Sequence, residues 1–106
     1  MKRSGTTRLD ARQLASALVK LPAWRHDPAR DAIAREFAFA NFAQAFGFMT
    51  ELALAAEQRN HHPDWRNVYN RVEIALTTHD AGGISAKDIE FAMHADDVYR
   101  RVRQGT

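Results

Sequence analysis

Ala32-Ile33-Ala34-Arg35-Glu36-Phe37-Ala38-Phe39-Ala40-Asn41-Phe42-Ala43-Gln44-Ala45-Phe46 is the stretch in which the hydrophobic period changes, and the fold follows from that change. Up to Ala40 the rhythm is two: Ile33, Arg35, Phe37 and Phe39 share one parity, and Ala34, Glu36 and Ala38 the other. Such alternation over Ala32 to Ala40 predicts a strand with one aromatic face. At Asn41, a residue type that caps helices well, with Gln44 three positions on, the period lengthens to that of a helix. Phe42, Ala45, Phe46, Met49, Leu52, Ala53 and Ala56 then mark one stripe of a long helix expected to end near Asn60 and Pro63. That stripe is expected to lie on the sheet, and the aromatics Phe37, Phe39, Phe42, Phe46 and Phe48 are read as core rather than as a stacking platform.

Working outward, Trp24 to Asp27 reads as a short strand and Asp27-Pro28-Ala29-Arg30-Asp31 as a turn, giving a hairpin from Trp24 to Phe39. Before it, Asp10 offers a helix cap with Gln13 three residues later, and Leu14, Leu18 and Leu21 recur at helical spacing until Pro22. Downstream, Val68, Val72, Ile74 and Leu76 alternate with Glu73, Ala75 and Thr77, a second hairpin expected to turn near Asn70-Arg71. Gly82-Gly83 ends the strand region, and Ser85 with Asp88 opens a last helix carrying Ile89, Ala92, Met93, Tyr99 and Val102. The order is α-ββ-α-ββ-α. Hairpins joined by short turns imply an antiparallel sheet, so the expected class is α+β: a two-layer sandwich of four antiparallel strands with three helices on one face. Residues 10–106 are read as one domain and residues 1–9 as a poorly ordered N-terminal tail.

The 106 residues, 45% apolar and 26% charged, suit one globular domain. With no cysteine there is no disulfide, thiol nucleophile, iron–sulfur cluster or cysteine-based zinc site, and a reducing, cytoplasmic location is the matching expectation. No apolar run approaches the ~20 residues that span a bilayer, and no apolar segment follows Met1-Lys2-Arg3, so neither a membrane partner nor a secretory leader is expected. The net charge of +2 is unevenly placed: residues 1 to 12 hold four bases and one acid, leaving eleven bases and twelve acids in the remainder. A near-neutral body with a basic end is not the basic stripe of a nucleic-acid binder, and none is expected as a partner.

Three of the five histidines fall within nineteen residues, in Glu57-Gln58-Arg59-Asn60-His61-His62-Pro63-Asp64-Trp65 and Thr77-Thr78-His79-Asp80. These segments flank the second hairpin, whose antiparallel pairing brings its two ends together. By parity His79 faces away from the helix-covered core. Glu57, one turn before His61, is placed to orient an imidazole, and Trp65 to wall a pocket or to pack in the core or between subunits. Several imidazoles in one cleft supply both an acid and a base near neutral pH. A zinc site is the other reading, weakened because adjacent histidines leaving a helix point apart and no HExxH pair is present. His26 and His94 lie outside the cluster and are assigned no role.

The run Glu57-x3-His61-His62-Pro63, then Tyr69, His79 and Asp88 at their spacings, resembles the signature of the pterin-4a-carbinolamine dehydratases. Phe37-x-Phe39-x2-Phe42-x2-Ala45-Phe46-x-Phe48-Met49 and Thr78-His79-Asp80-x-Gly82-Gly83 fit the same pattern, and the likeness covers about residues 24 to 96. The resemblance implies a hydro-lyase that converts 4a-hydroxytetrahydropterin to quinonoid dihydropterin and water, recycling the spent cofactor of aromatic amino acid hydroxylases. It implies no metal and no organic cofactor, and a homo-oligomer, either a dimer or a dimer of dimers. It assigns His61 and His79 as the acid–base pair, His62 chiefly as a pterin contact, and Glu57 and Asp88 as orienting or binding groups. Asn60, Trp65, Thr77 and Thr78 complete the expected substrate-binding set, with main chain near the two threonines facing the pterin edge. Two departures stand out: Asn60 replaces an acid found in some relatives, and Ala23 a glycine often found before Trp24. Some animal members of that family also stabilise a transcription-factor dimer, so a coactivator or a catalytically silent assembly protein is the alternative.

Overall fold

The structure, a computed structural model, describes residues 7–104. Its elements run α1 (Ala11–Val19), β1 (Arg25–Asp27), β2 (Ala32–Ala38), α2 (Phe42–Arg59), β3 (Asp64–Val68), β4 (Arg71–Leu76), a single 3-10 turn at His79–Ala81, and α3 (Ala86–Gln104). The four strands form one antiparallel sheet in the order β1-β2-β4-β3. The expected α+β sandwich is therefore the fold observed, with the two hairpins joined through β2 and β4. Their register sets Ile33 opposite Leu76 and Phe37 opposite Val72.

Local signals place the helix starts. Asp10 accepts from the Gln13 N–H while the Gln13 side chain accepts from the Asp10 N–H, a closed capping box. Asn41 caps α2 by accepting from Gln44 N–H, and the Gln44 side chain accepts from Ala40 N–H, so β2 gives way to α2 within three residues. For that reason β2 stops at Ala38, two residues short of the expected end.

The core lies between the sheet and the helices: Ile33, Phe37, Val72, Ile74 and Leu76 from the sheet meet Phe48, Leu52, Phe91, Ala92, Ala95 and Val98. Here the expected α2 stripe needs correction. Ala45, Phe48, Leu52, Ala55 and Ala56 are the buried positions, while Phe42 is 48% and Phe46 58% exposed, and Ala53 also faces outward. Phe48 wins the inward place because the rings of Phe37 and Phe39 receive it at 4.8 and 4.9 Å between centroids. The second turn is also displaced by one residue, to Tyr69-Asn70. Tyr69 takes the left-handed conformation (φ 52°), and Asn70 is fixed by bonding the Phe39 carbonyl through its side chain. Of the segment expected to be a loose tail, residues 1–6 lie outside the described residues. Arg8 bridges Ser85, and Leu9 N–H donates to the Ile84 carbonyl.

Candidate active site

Asn60 does the first piece of positioning. It ends α2 in the left-handed conformation (φ 50°), and the reversal lets His61 N–H bond back to the Ala56 carbonyl. The two neighbouring histidines part there. His61 turns inward and is 8% exposed, whereas His62 stays at the surface.

Each imidazole has its own carboxylate. His61 Nε2 lies 2.6 Å from Asp88 Oδ1, and His62 Nε2 lies 2.8 Å from Glu57 Oε1. Asp88 is wholly buried in the first turn of α3. Its second oxygen accepts from the Thr78 hydroxyl at 2.8 Å and from the Ser85 N–H at 2.9 Å. Thr78 and Ser85 hydroxyls are themselves 2.6 Å apart, so Ser85 donates to Thr78 and Thr78 to the carboxylate. A buried carboxylate with three donors and a helix N-terminus beside it is a satisfied anion. Facing it, the His61 ring is held with Nε2 towards Asp88, which leaves Nδ1 free of that carboxylate. The Phe91 ring, packed edge-on at 6.4 Å, fixes the other side of that imidazole.

A cleft of about 270 Å³ opens beside this pair, lined by Asn60, His61, His62, Thr77, Thr78, His79, Asp80 and Lys87. His79 stands exposed on the 3-10 turn, and exposure alternates through Leu76, Thr77, Thr78 and His79 as strand parity requires. Among the described residues no side chain holds the His79 ring. Of the predicted site residues, Asn60, His61, His62, Thr77, Thr78 and His79 meet in the cleft, and Glu57 and Asp88 stand behind two of its imidazoles. Trp65 does not line it; that ring is half-buried against the main core. Thr78 main chain is engaged by Gly83, N–H to carbonyl in both directions, so it is not open to a ligand edge. Asp80, which the sequence pattern includes without a role, and Lys87, which it does not mark, also line the cleft. Among the described residues no three His, Asp or Glu side chains converge as metal ligands would. A hollow of about 420 Å³ lies elsewhere, under Arg8 and beside Leu14, Leu18 and Ile84. Its polar groups serve the Arg8–Asp31 pair and the α1 cap, so the smaller cleft, with three imidazoles, is the candidate for chemistry.

Fold and cleft together define an α+β protein with a carboxylate-backed histidine site at the open end of its β3–β4 hairpin. The sequence profile described as pterin 4 alpha carbinolamine dehydratase matches residues 7–98. A protein of Rhodopseudomonas palustris strain HaA2, provisionally named a pterin-4-alpha-carbinolamine dehydratase, is 55% identical over 80% of this chain and 84% of its own length. A Burkholderia multivorans protein of the same provisional name is 48% identical over 91% of this chain and 94% of its own. A crystal structure from Brucella melitensis, described as a transcriptional coactivator/pterin dehydratase, superposes with a TM-score of 0.85. It is 41% identical, covering 88% of this chain and 99% of that one. The chain belongs to the pterin-4-alpha-carbinolamine dehydratase family.

Proposed function

We propose that this chain dehydrates 4a-hydroxytetrahydropterin by histidine acid–base catalysis. In the reaction the C4a–O bond breaks as its oxygen takes a proton, the N5–H proton leaves, and the freed electron pair forms the C4a=N5 bond. Water and quinonoid dihydropterin are the products, with no change in overall oxidation state. One acid and one base near neutral pH meet the whole demand. His61 and His79 are assigned the proton transfers, and His62, held by Glu57, a contact to the pterin. Asn60 and Thr77 offer the polar groups that read the edge of the flat ring. The observation that carries this reading is the buried Asp88–His61 pair opening onto a cleft that also holds His62 and His79. A carboxylate behind an imidazole fixes its tautomer and stabilises the imidazolium, the form needed to protonate a leaving hydroxyl.

The decisive experiment follows dehydration spectroscopically in buffer, with the protein, and with His61→Ala, His62→Ala and His79→Ala. The expected result is acceleration over buffer and a loss of at least about tenfold for His61→Ala and His79→Ala, or ~1.4 kcal/mol of transition-state stabilisation. A folded protein with no rate above buffer overturns the reading. The place of the reaction, in a cytoplasmic recycling of the cofactor of aromatic amino acid hydroxylases, rests on family resemblance and the absence of cysteine. Self-association into a dimer or dimer of dimers is supported by Phe42, Phe46 and Leu54, which leave one side of α2 apolar and exposed. The same exposed side, with the coactivator description of the Brucella protein, supports the second reading, a partner-binding role. Addition of a helical partner peptide that changes the oligomer mass is its test.

A further inference from the structure

The loop that carries His79 is closed at its base and tied down from outside. Thr78 N–H donates to Gly83 carbonyl at 2.9 Å and Gly83 N–H to Thr78 carbonyl at 3.3 Å, with the 3-10 turn between them. On one flank of this base, the Thr77 hydroxyl donates to the Asp31 carbonyl at 2.9 Å. On the other, Leu9 N–H donates to Ile84 and Arg8 bridges Ser85. The Arg8 guanidinium then donates to Asp31 Oδ2 at 2.5 Å, so both flanks end on one residue. Asp31, at φ 48°, occupies the left-handed region that side chains other than glycine seldom adopt.

Gly83 shows how close the fit is. A Cβ there would stand 2.7 Å from Asp31 Oδ2 and nearer still to Arg8 Nε. A methyl at this position would push the Arg8 and Asp31 side chains apart rather than meet main chain, and a positive φ, which Gly82 has, is not involved at Gly83.

We propose that Arg8 is a positioning residue for the cleft, clamping through Asp31 and over Gly83 the segment Thr77 to Ser85. That segment holds His79 and supplies two of the three donors to Asp88, from Thr78 and Ser85. The inference rests on the dehydratase reading for its consequence in rate, but the clamp itself does not need it. The groups facing the Asp31 carboxylate are Arg8 and, at 3.5 Å, His26 from β1. The Arg8 guanidinium, with a smaller part from His26, holds that carboxyl below the usual range. A depressed carboxyl stabilises above its unfolded value of about 3.9 and loses that effect only as pH falls through the lower folded value. The Asp31 carboxylate therefore stays charged, and its pair with Arg8 intact, above about pH 5.

The test uses the full chain with Arg8→Ala, Arg8→Lys and Gly83→Ala. Amide exchange at Thr78 and Gly83 and the ring NMR signals of His79 are read without substrate, and kcat and KM with it. Arg8→Ala and Gly83→Ala are expected to speed exchange at those two amides at least about tenfold relative to Ile74 in β4, and to move the His79 signals. The same variants lower kcat at least about threefold, and Arg8→Lys recovers part of each effect. Exchange rising equally at Ile74, or unchanged signals in both variants, overturns the clamp. If the unaltered protein has no dehydratase rate, the proposed function fails while exchange and the His79 signals still decide the inference.

Discussion

Asp88 has no exposed surface, yet it holds the one buried imidazole of the cleft at 2.6 Å. Replacing it by asparagine keeps the volume but turns one acceptor into a donor, so the His61 Nε2–H, the Thr78 hydroxyl and the Ser85 N–H can no longer all be accepted. Asp88→Asn is expected to cut the dehydration rate at least about tenfold and to destabilise by roughly 1–3 kcal/mol, the cost of a buried donor left unmade. Glu57→Gln, which touches only an exposed pair with His62, is expected to cost under about 1 kcal/mol and leave kcat within about threefold. Paired kinetics and thermal melts check both. The histidines were legible because their spacing brackets a hairpin, and hairpin ends must meet. Which carboxylate serves which imidazole was not, since Asp88 reaches His61 across 27 positions and the choice depends on one left-handed residue, Asn60. Nothing in a spacing pattern distinguishes a neighbour that turns inward from one that turns out.

Among the elements, α2 is the one whose inward face the sequence leaves undetermined. Residues 42 to 56 are apolar nearly all round, with four phenylalanine or methionine side chains at Phe42, Phe46, Phe48 and Met49, so a 3.6 period does not single out one stripe. The capping residues fix where the helix starts; the rings of Phe37 and Phe39 choose its rotation by receiving Phe48. The strands of the second hairpin were easier to place, because β-branched residues on one parity leave little choice. Its turn moved by a residue because the Asn70 side chain is held by Phe39, a contact 31 positions away. The rotation of α2 makes a sharp prediction: Phe48→Ala is expected to destabilise by about 3–5 kcal/mol, as for an aromatic removed from a packed core. Phe46→Ala in the isolated protomer is expected to cost under about 1 kcal/mol. Urea titration of both variants at low protein concentration tests the assignment, and equal losses would return Phe46 to the core.

At the scale of the molecule, the sandwich is fastened across its two layers by a mixed cluster that does not line the cleft. Arg35 in β2 and Trp24 just before β1 both donate to Asp96 Oδ1 in α3, at 2.7 and 2.9 Å. The Arg35 guanidinium also lies over the rings of Phe37 and Tyr99. That cluster accounts for a charged residue, Arg35, standing on the inward parity of the strand. The helix layer is thus anchored to the sheet without help from the outer side of α2. Phe42 and Phe46, with ring centroids 5.9 Å apart, and Leu54 remain exposed on that side. If self-association uses this surface, a charge placed in it will break the assembly and spare the protomer, because burial of an unpaired carboxylate between apolar rings is strongly unfavourable. Phe46→Glu is expected to lower the mass measured by sedimentation while leaving the far-ultraviolet spectrum and the melting of the protomer near their original values. Position 46 also lies about 20 Å along the helix from Asn60, at 1.5 Å per residue, so the dehydration rate per protomer should persist if the cleft is complete within one chain. Loss of mass together with loss of rate would instead make the neighbouring copy part of the site, and an unchanged mass would remove this face of α2 from the assembly.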